Sequence, residues 1–190
     1  MFLSQLFSIL DARSFSSPWF WLVLFAVWTL SGRGVLGVPN DVLGDAGRAL
    51  RREPAEAEPE EAVLLLNWLS LQLPRWQIGR TGGAVLTAAI CFGLSALLLL
   101  GFRYGLEMAQ ALTLLALPVA LLFVLRVRLA QKLRPVLTAA ERGAPVRDAA
   151  AAAIKRINTY RILHTLISVL AVMVTTLYAS FWMLLHPNGL

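Results

Sequence analysis

The sequence predicts an all-α, polytopic membrane protein with four transmembrane helices, cytoplasmic helical extensions and one or two interfacial amphipathic helices. Three observations carry that expectation. Of 190 residues, 58% are hydrophobic and 15% charged, against about 45–50% and about 25% in ordinary soluble domains. The apolar residues gather into runs of roughly 20, the length that crosses a hydrocarbon core. The charged residues, with a net charge of +6, gather between those runs. A single integral membrane domain over 1–190 follows, with no room beside the spans for a large soluble one.

Residues 1–17 are expected to form a surface helix, because Leu3, Leu6, Phe7 and Leu10 share one helical face. A cleaved signal is not expected: Asp11 accompanies Arg13 ahead of the apolar run, and Leu30-Ser31-Gly32-Arg33 is no small-residue cleavage site. The first span covers 18–39. Trp19 and Trp21 stand near its start, where indoles favour the headgroup level. Arg33 interrupts its far end, from which a long stem lets the guanidinium snorkel to the interface. The cytoplasmic connection 40–81 is too long for a turn. It holds a short helix, an acidic proline-broken stretch and an apolar segment at 62–73. That segment is too short to cross, so an interfacial helix is expected, with a re-entrant segment as the alternative.

The second span, 83–102, and the third, 106–125, are separated only by Arg103-Tyr104-Gly105 and so form a tight antiparallel hairpin. Ala84 with Ala88, Ala89 with Gly93, and Ala116 with Ala120 repeat small residues every fourth position, a spacing that lets helices approach closely in lipid. Cys91 reads as a small buried hydrophobe. Glu107 opens the third span one turn from Arg103, and the two are expected to pair; a proton or ion site is the alternative. Residues 126–161 form a basic helical hairpin on the cytoplasmic side, broken at Gly143 and restarted at Pro145. Its alanine run, 149–153, reflects either close contact or plain helix propensity. The fourth span, 162–185, shows a small-residue face at Ala171, Thr175 and Ala179.

Basic residues in short loops mark the cytoplasmic side. All except Arg13 and Arg103 fall at the far end of the first span, after it, or after the third span, so both termini are expected outside. Arg156 and Arg161 are expected to meet anionic lipid headgroups.

No catalytic set emerges. The lone cysteine excludes an internal disulfide and a thiolate metal site within this chain. His164 and His186 lack further ligands at matching depth, no phosphate-binding loop or zinc motif is present, and the basic stretch lacks the interleaved aromatics of a nucleic-acid binder. No cofactor, no metal and no nucleic-acid partner are expected.

Three stretches resemble a family. They are Asp11-Ala12-Arg13-Ser14-Phe15-Ser16 before Trp19-Phe20-Trp21; Val35-Leu36-Gly37-Val38-Pro39 with Asp41; and Gly101-Phe102-Arg103-Tyr104-Gly105-Leu106-Glu107 with Ala109-Gln110-Ala111. They are similar to short multi-pass membrane proteins of Rhodobacter-like alphaproteobacteria that are often labelled as a component of the SufBCD complex. The resemblance implies a bacterial inner membrane, so that the outward termini would be periplasmic by the charge rule above, and no assigned activity.

The expected function is a non-catalytic accessory, scaffold or assembly subunit of a larger membrane complex, respiratory or photosynthetic by analogy, with other membrane subunits as partners. The alternatives are a small transporter or channel subunit, and a membrane tether for the Suf assembly complex. Alkaline phosphatase fused after Leu190 is expected to be active. An inactive fusion that still inserts into the membrane contradicts the orientation.

Overall fold

In a computed structural model that describes residues 15, 17–54 and 57–185, the chain is mostly helical. Nearly all of the surface helix expected at 1–17, and His186, lie outside those residues. Three helices are long and apolar enough to cross a membrane. They are α4 (Arg80–Leu98), prolonged by a π-helical turn at Leu99–Arg103, α5 (Glu107–Glu141) and α6 (Val146–Leu185).

The helix expected over 18–39 is shorter. Helix α1 spans Pro18–Ser31, 14 residues, and stops where glycines crowd the chain. Gly34–Val35 (β1) and Val38–Pro39 (β2) then pair as a minimal antiparallel hairpin. Leu36 and Gly37 close it, both with positive φ (55° and 84°), as a two-residue turn of this hand requires. Leu36 tolerates that conformation while its side chain is buried in a hydrophobic core.

Contacts divide the chain into two compact units. One takes the described residues up to Leu30, with Arg80–Leu122 and those from Leu166. The other takes Ser31–Gly79 and Phe123–Thr165.

The second unit has a continuous core. Helix α2 (Asn40–Arg52) buries Leu43, Ala46 and Ala49 at three-residue spacing and leaves its charges outside. Helix α3 (Glu60–Gln72), followed by a 3-10 turn at Leu73–Trp76, buries Ala62, Leu65, Leu66 and Leu69. The apolar face expected to lie on a membrane at 62–73 therefore packs into protein; Val63, Leu64 and Leu71 remain exposed on the same helix. Leu129, Ala130, Leu133 and Leu137 of α5 complete the core with Ala149, Ala150, Ala153 and Ile157 of α6. Packing thus accounts for part of the alanine run. At the turn between α5 and α6, Gly143 takes φ +93°, its N–H and that of Ala144 reach Ala140 O and Ala139 O, and Pro145 O accepts from Ala149 N.

The C-terminal end of α2 is closed by one side chain. Arg147 Nη1 donates to Pro54 O (2.8 Å), and its Nη2 donates to Leu50 O (2.5 Å) and Glu53 O (3.2 Å). A guanidinium at a helix C-terminus meets both the unpaired carbonyls and the negative end of the dipole.

In the first unit the tight hairpin is present. The π-helical turn passes against the first turn of α5, Gln110 Nε2 donates to Gly101 O (2.9 Å), and Leu106 N reaches Leu100 O (3.2 Å). Gly105 makes the reversal with φ +75°. Gly101 is needed for the approach: a Cβ there would stand 2.8 Å from Gln110 N, a backbone atom that cannot swing away. At Gly93, on the same helix, a Cβ meets nothing within 4 Å.

Gly101→Ala is expected to lower stability by about 1–3 kcal/mol through overpacking. Gly93→Ala is expected to be neutral, or to stabilise by up to ~1 kcal/mol through helix propensity. Thermal unfolding in mild detergent, followed by circular dichroism, compares the two.

Candidate functional site

Besides Arg147, charged side chains meet backbone at Phe15 in the first unit and at Ser31 in the second. In the first unit the centre is Phe15, only 1% exposed. Its N–H donates to Glu107 Oε1 (2.5 Å), and its carbonyl accepts the indole N–H of Trp21 (3.0 Å). Its ring meets Phe20 (5.5 Å), Tyr178 (5.7 Å) and Trp182 (6.0 Å) between centroids, the first two edge to face. Ala111 and Ala179 are buried in the same cluster and leave room for the aromatics. Both backbone polar groups of a buried residue are thereby satisfied, as an apolar setting demands. Glu107 sits in the first turn of α5, where the helix dipole favours a carboxylate.

The expected Arg103–Glu107 pair is not formed. Arg103 is exposed at the end of the π-helical turn, and Glu107, 4% exposed, points to Phe15. One-turn spacing suggested a pair, but the tight reversal puts the carboxylate inside and the guanidinium outside.

Glu107, Gln110, Thr113 and Thr175 are the buried polar side chains among the described core residues, and all four lie in the first unit. Thr113 Oγ1 donates to Ala109 O (2.7 Å). Gln110 Oε1 and Thr175 Oγ1 are buried without a hydrogen-bond partner. Thr113 and Thr175 both line an otherwise apolar cavity of ≈340 Å³ bounded by Phe102, Leu117, Pro118 and Leu170.

In the second unit the centre is Arg126. Its Nη2 donates to Ser31 O (2.7 Å), the last carbonyl of α1, and its Nε donates to Tyr160 Oη (2.9 Å). The guanidinium also lies over the Trp76 ring, 6.0 Å from the centroid. Ser31 Oγ and His164 Nε2 are hydrogen-bonded at 3.1 Å. A cavity of ≈140 Å³ beside them is lined by Asn40, Arg161 and Thr165 among others. The hydroxyl–imidazole bond can relay a proton. Its place at the end of α1, with Arg126 on the same residue's carbonyl, makes it first a helix terminus held from two sides.

The remaining expected residues are spread over the fold. Trp19 is 75% exposed, whereas Trp21 is bonded to Phe15. Arg33 is exposed, and its carbonyl accepts from Asn40 Nδ2 (3.4 Å). Arg156 donates to Lys132 O, and Arg161 lies by the small cavity. Thr175 and Ala179 are buried within the chain's own first unit, so the small-residue face is largely occupied; Ala171 is half-buried. Cys91 is exposed, not buried. Arg126, Arg147, Ser31 and Phe15 were not singled out by sequence. The two arginines stand in a stretch where every neighbouring charge looks alike, and Phe15 resembles any apolar residue.

Among the described residues no group of three His, Cys, Asp or Glu side chains is placed to hold a metal ion. No family model, curated protein or solved structure matches the chain.

Glu107→Ala, which leaves the buried Phe15 N–H without this acceptor, is expected to cost about 1–3 kcal/mol. Glu107→Gln keeps a carbonyl oxygen and is expected to retain most of that stability. Unfolding midpoints of the two variants in detergent test this; equal losses would show that the charge, not the acceptor, matters.

Proposed function

We propose that this chain is a non-catalytic accessory, scaffold or assembly subunit of a larger complex in a bacterial inner membrane. In this reading it crosses four times, with both termini periplasmic and the basic connections cytoplasmic. The three long helices supply three crossings. Helix α1 supplies the other: 14 residues rise about 21 Å, and local bilayer thinning or the flanking residues make up the difference.

The observation that supports a scaffold is the exposure of α4. It is apolar over a membrane-length window, yet only 6% of that window is buried, and Ala84, Ala88 and Ala89 lie exposed along the helix. Large apolar side chains of α6, including Leu166, Val169, Leu177 and Leu184, are likewise exposed. Such surface is met by lipid or by other helices, and small residues at four-residue spacing favour helices. The second unit, folded around its own core, offers a body to which a soluble assembly such as the Suf complex could be tethered.

One observation favours the runner-up, a small transporter or channel subunit: the buried polar set of Glu107, Gln110, Thr113 and Thr175 in one unit. Polar groups within spans commonly line ion or substrate paths.

Extraction of the native protein in mild detergent is expected to bring a stoichiometric membrane partner, and Leu substitutions at Ala84 and Ala88 to weaken that association by tenfold or so, about 1.4 kcal/mol. Recovery as a lone monomer at several detergent concentrations, with ion flux in proteoliposomes that Glu107→Gln abolishes, favours the transporter instead.

A further inference from the structure

A groove of ≈950 Å³ opens between α5 and α6 in the second unit. Arg128 and Lys132 of α5 line it from one side, and Lys155 and Arg156 of α6 from the other. No acidic side chain belongs to the lining, which also includes Leu125, Leu129 and Leu163. Arg128, Lys132 and Lys155 are exposed, and Arg156 joins the walls by donating to Lys132 O.

This arrangement is unfavourable while empty of counter-charge. Arg128 and Lys132 stand one turn apart, a like-charge spacing that destabilises a helix. Lys155 and Arg156 bring two more cations to the same opening. An anion placed among them removes the repulsion. The leucines of the lining select its kind: a free phosphate has no use for apolar walls, whereas a phospholipid carries both a phosphodiester and acyl chains. Depth agrees. Leu125 and Leu163 lie at the ends of the apolar runs 106–125 and 162–185, where a spanning helix passes from acyl chains to headgroups.

We infer that this groove is a binding site for one anionic phospholipid, its phosphate among Arg128, Lys132, Lys155 and Arg156 and its acyl chain along Leu125, Leu129 and Leu163. The inference rests on the reading of α5 and α6 as membrane-spanning, and it assigns a defined site where basic loop composition gives only a diffuse attraction. An acidic segment of a protein partner meets the same charges but leaves the leucines unused.

The test uses the full-length protein in neutral detergent. Phosphatidylglycerol or phosphatidylcholine is titrated in, and bound lipid is counted by native mass spectrometry. The wild-type protein is expected to retain one phosphatidylglycerol in preference to phosphatidylcholine. Lys132→Gln with Lys155→Gln is expected to weaken that binding about 30-fold, at roughly fivefold for each charge. Arg142→Gln, an exposed basic change outside the groove, is expected to leave it unaltered. Circular dichroism confirms that each variant is folded. Equal retention by the double variant and the wild type overturns the site. So does tight binding of soluble glycerol phosphate, which marks a plain phosphate site, or of an oligoglutamate peptide with no lipid preference, which marks a protein-docking site. Release of the protein from membranes by alkaline carbonate fails the spanning reading itself, whereas lost lipid selectivity in a carbonate-resistant protein fails only the groove.

Discussion

A helix that ends where water is scarce leaves backbone groups that must find partners within the protein. In this chain three charged side chains supply them. Glu107 takes the N–H of Phe15, Arg126 donates to the last carbonyl of α1, and Arg147 donates to Leu50 O in the last turn of α2 and to Glu53 O just after it. Each joins stretches far apart in sequence. The ion pair among the described residues, Arg48 with Asp45, is a surface contact within one helix and contributes little.

With the ends closed, the two units solve different packing problems. The second has a core in the ordinary sense: one face of α2, one face of α3, the small hairpin, and the alanine-rich contact of α5 with α6. Alanines there permit close approach, and leucines fill what remains. The first unit buries one aromatic cluster around Phe15 and leaves most of its long apolar side chains outward. That pattern suits an element whose surroundings are themselves apolar, because lipid tails impose no hydrophobic drive to hide a leucine. The buried hydroxyl of Thr175 and amide oxygen of Gln110 are the exceptions within it.

Much of the layout was legible in the sequence because hydropathy and breakers act locally. The runs at 83–102, 106–125 and 162–185 fall within long apolar helices, the reversal at 103–105 is tight, and Gly143 with Pro145 separates α5 from α6. The first span was read too long because its apolar character continues past Ser31, while glycine permissiveness and the turn at Leu36-Gly37 end the helix sooner. The segment at 62–73 was read as interfacial because a short, mostly apolar stretch reveals burial without revealing what covers it.

What the sequence by itself determined is where helices can run, where they must reverse, and that the long ones are apolar enough to cross a membrane. Only the tertiary structure decided the partners of its charges. Glu107 chose a backbone N–H over the nearby Arg103, Arg126 and Arg147 stood out from a stretch of similar basic residues, and the face at Thr175 and Ala179 turned inward. Periodicity is a property of one helix, whereas a hydrogen bond to Phe15 or to Ser31 depends on which segments, about ninety positions apart, are brought together.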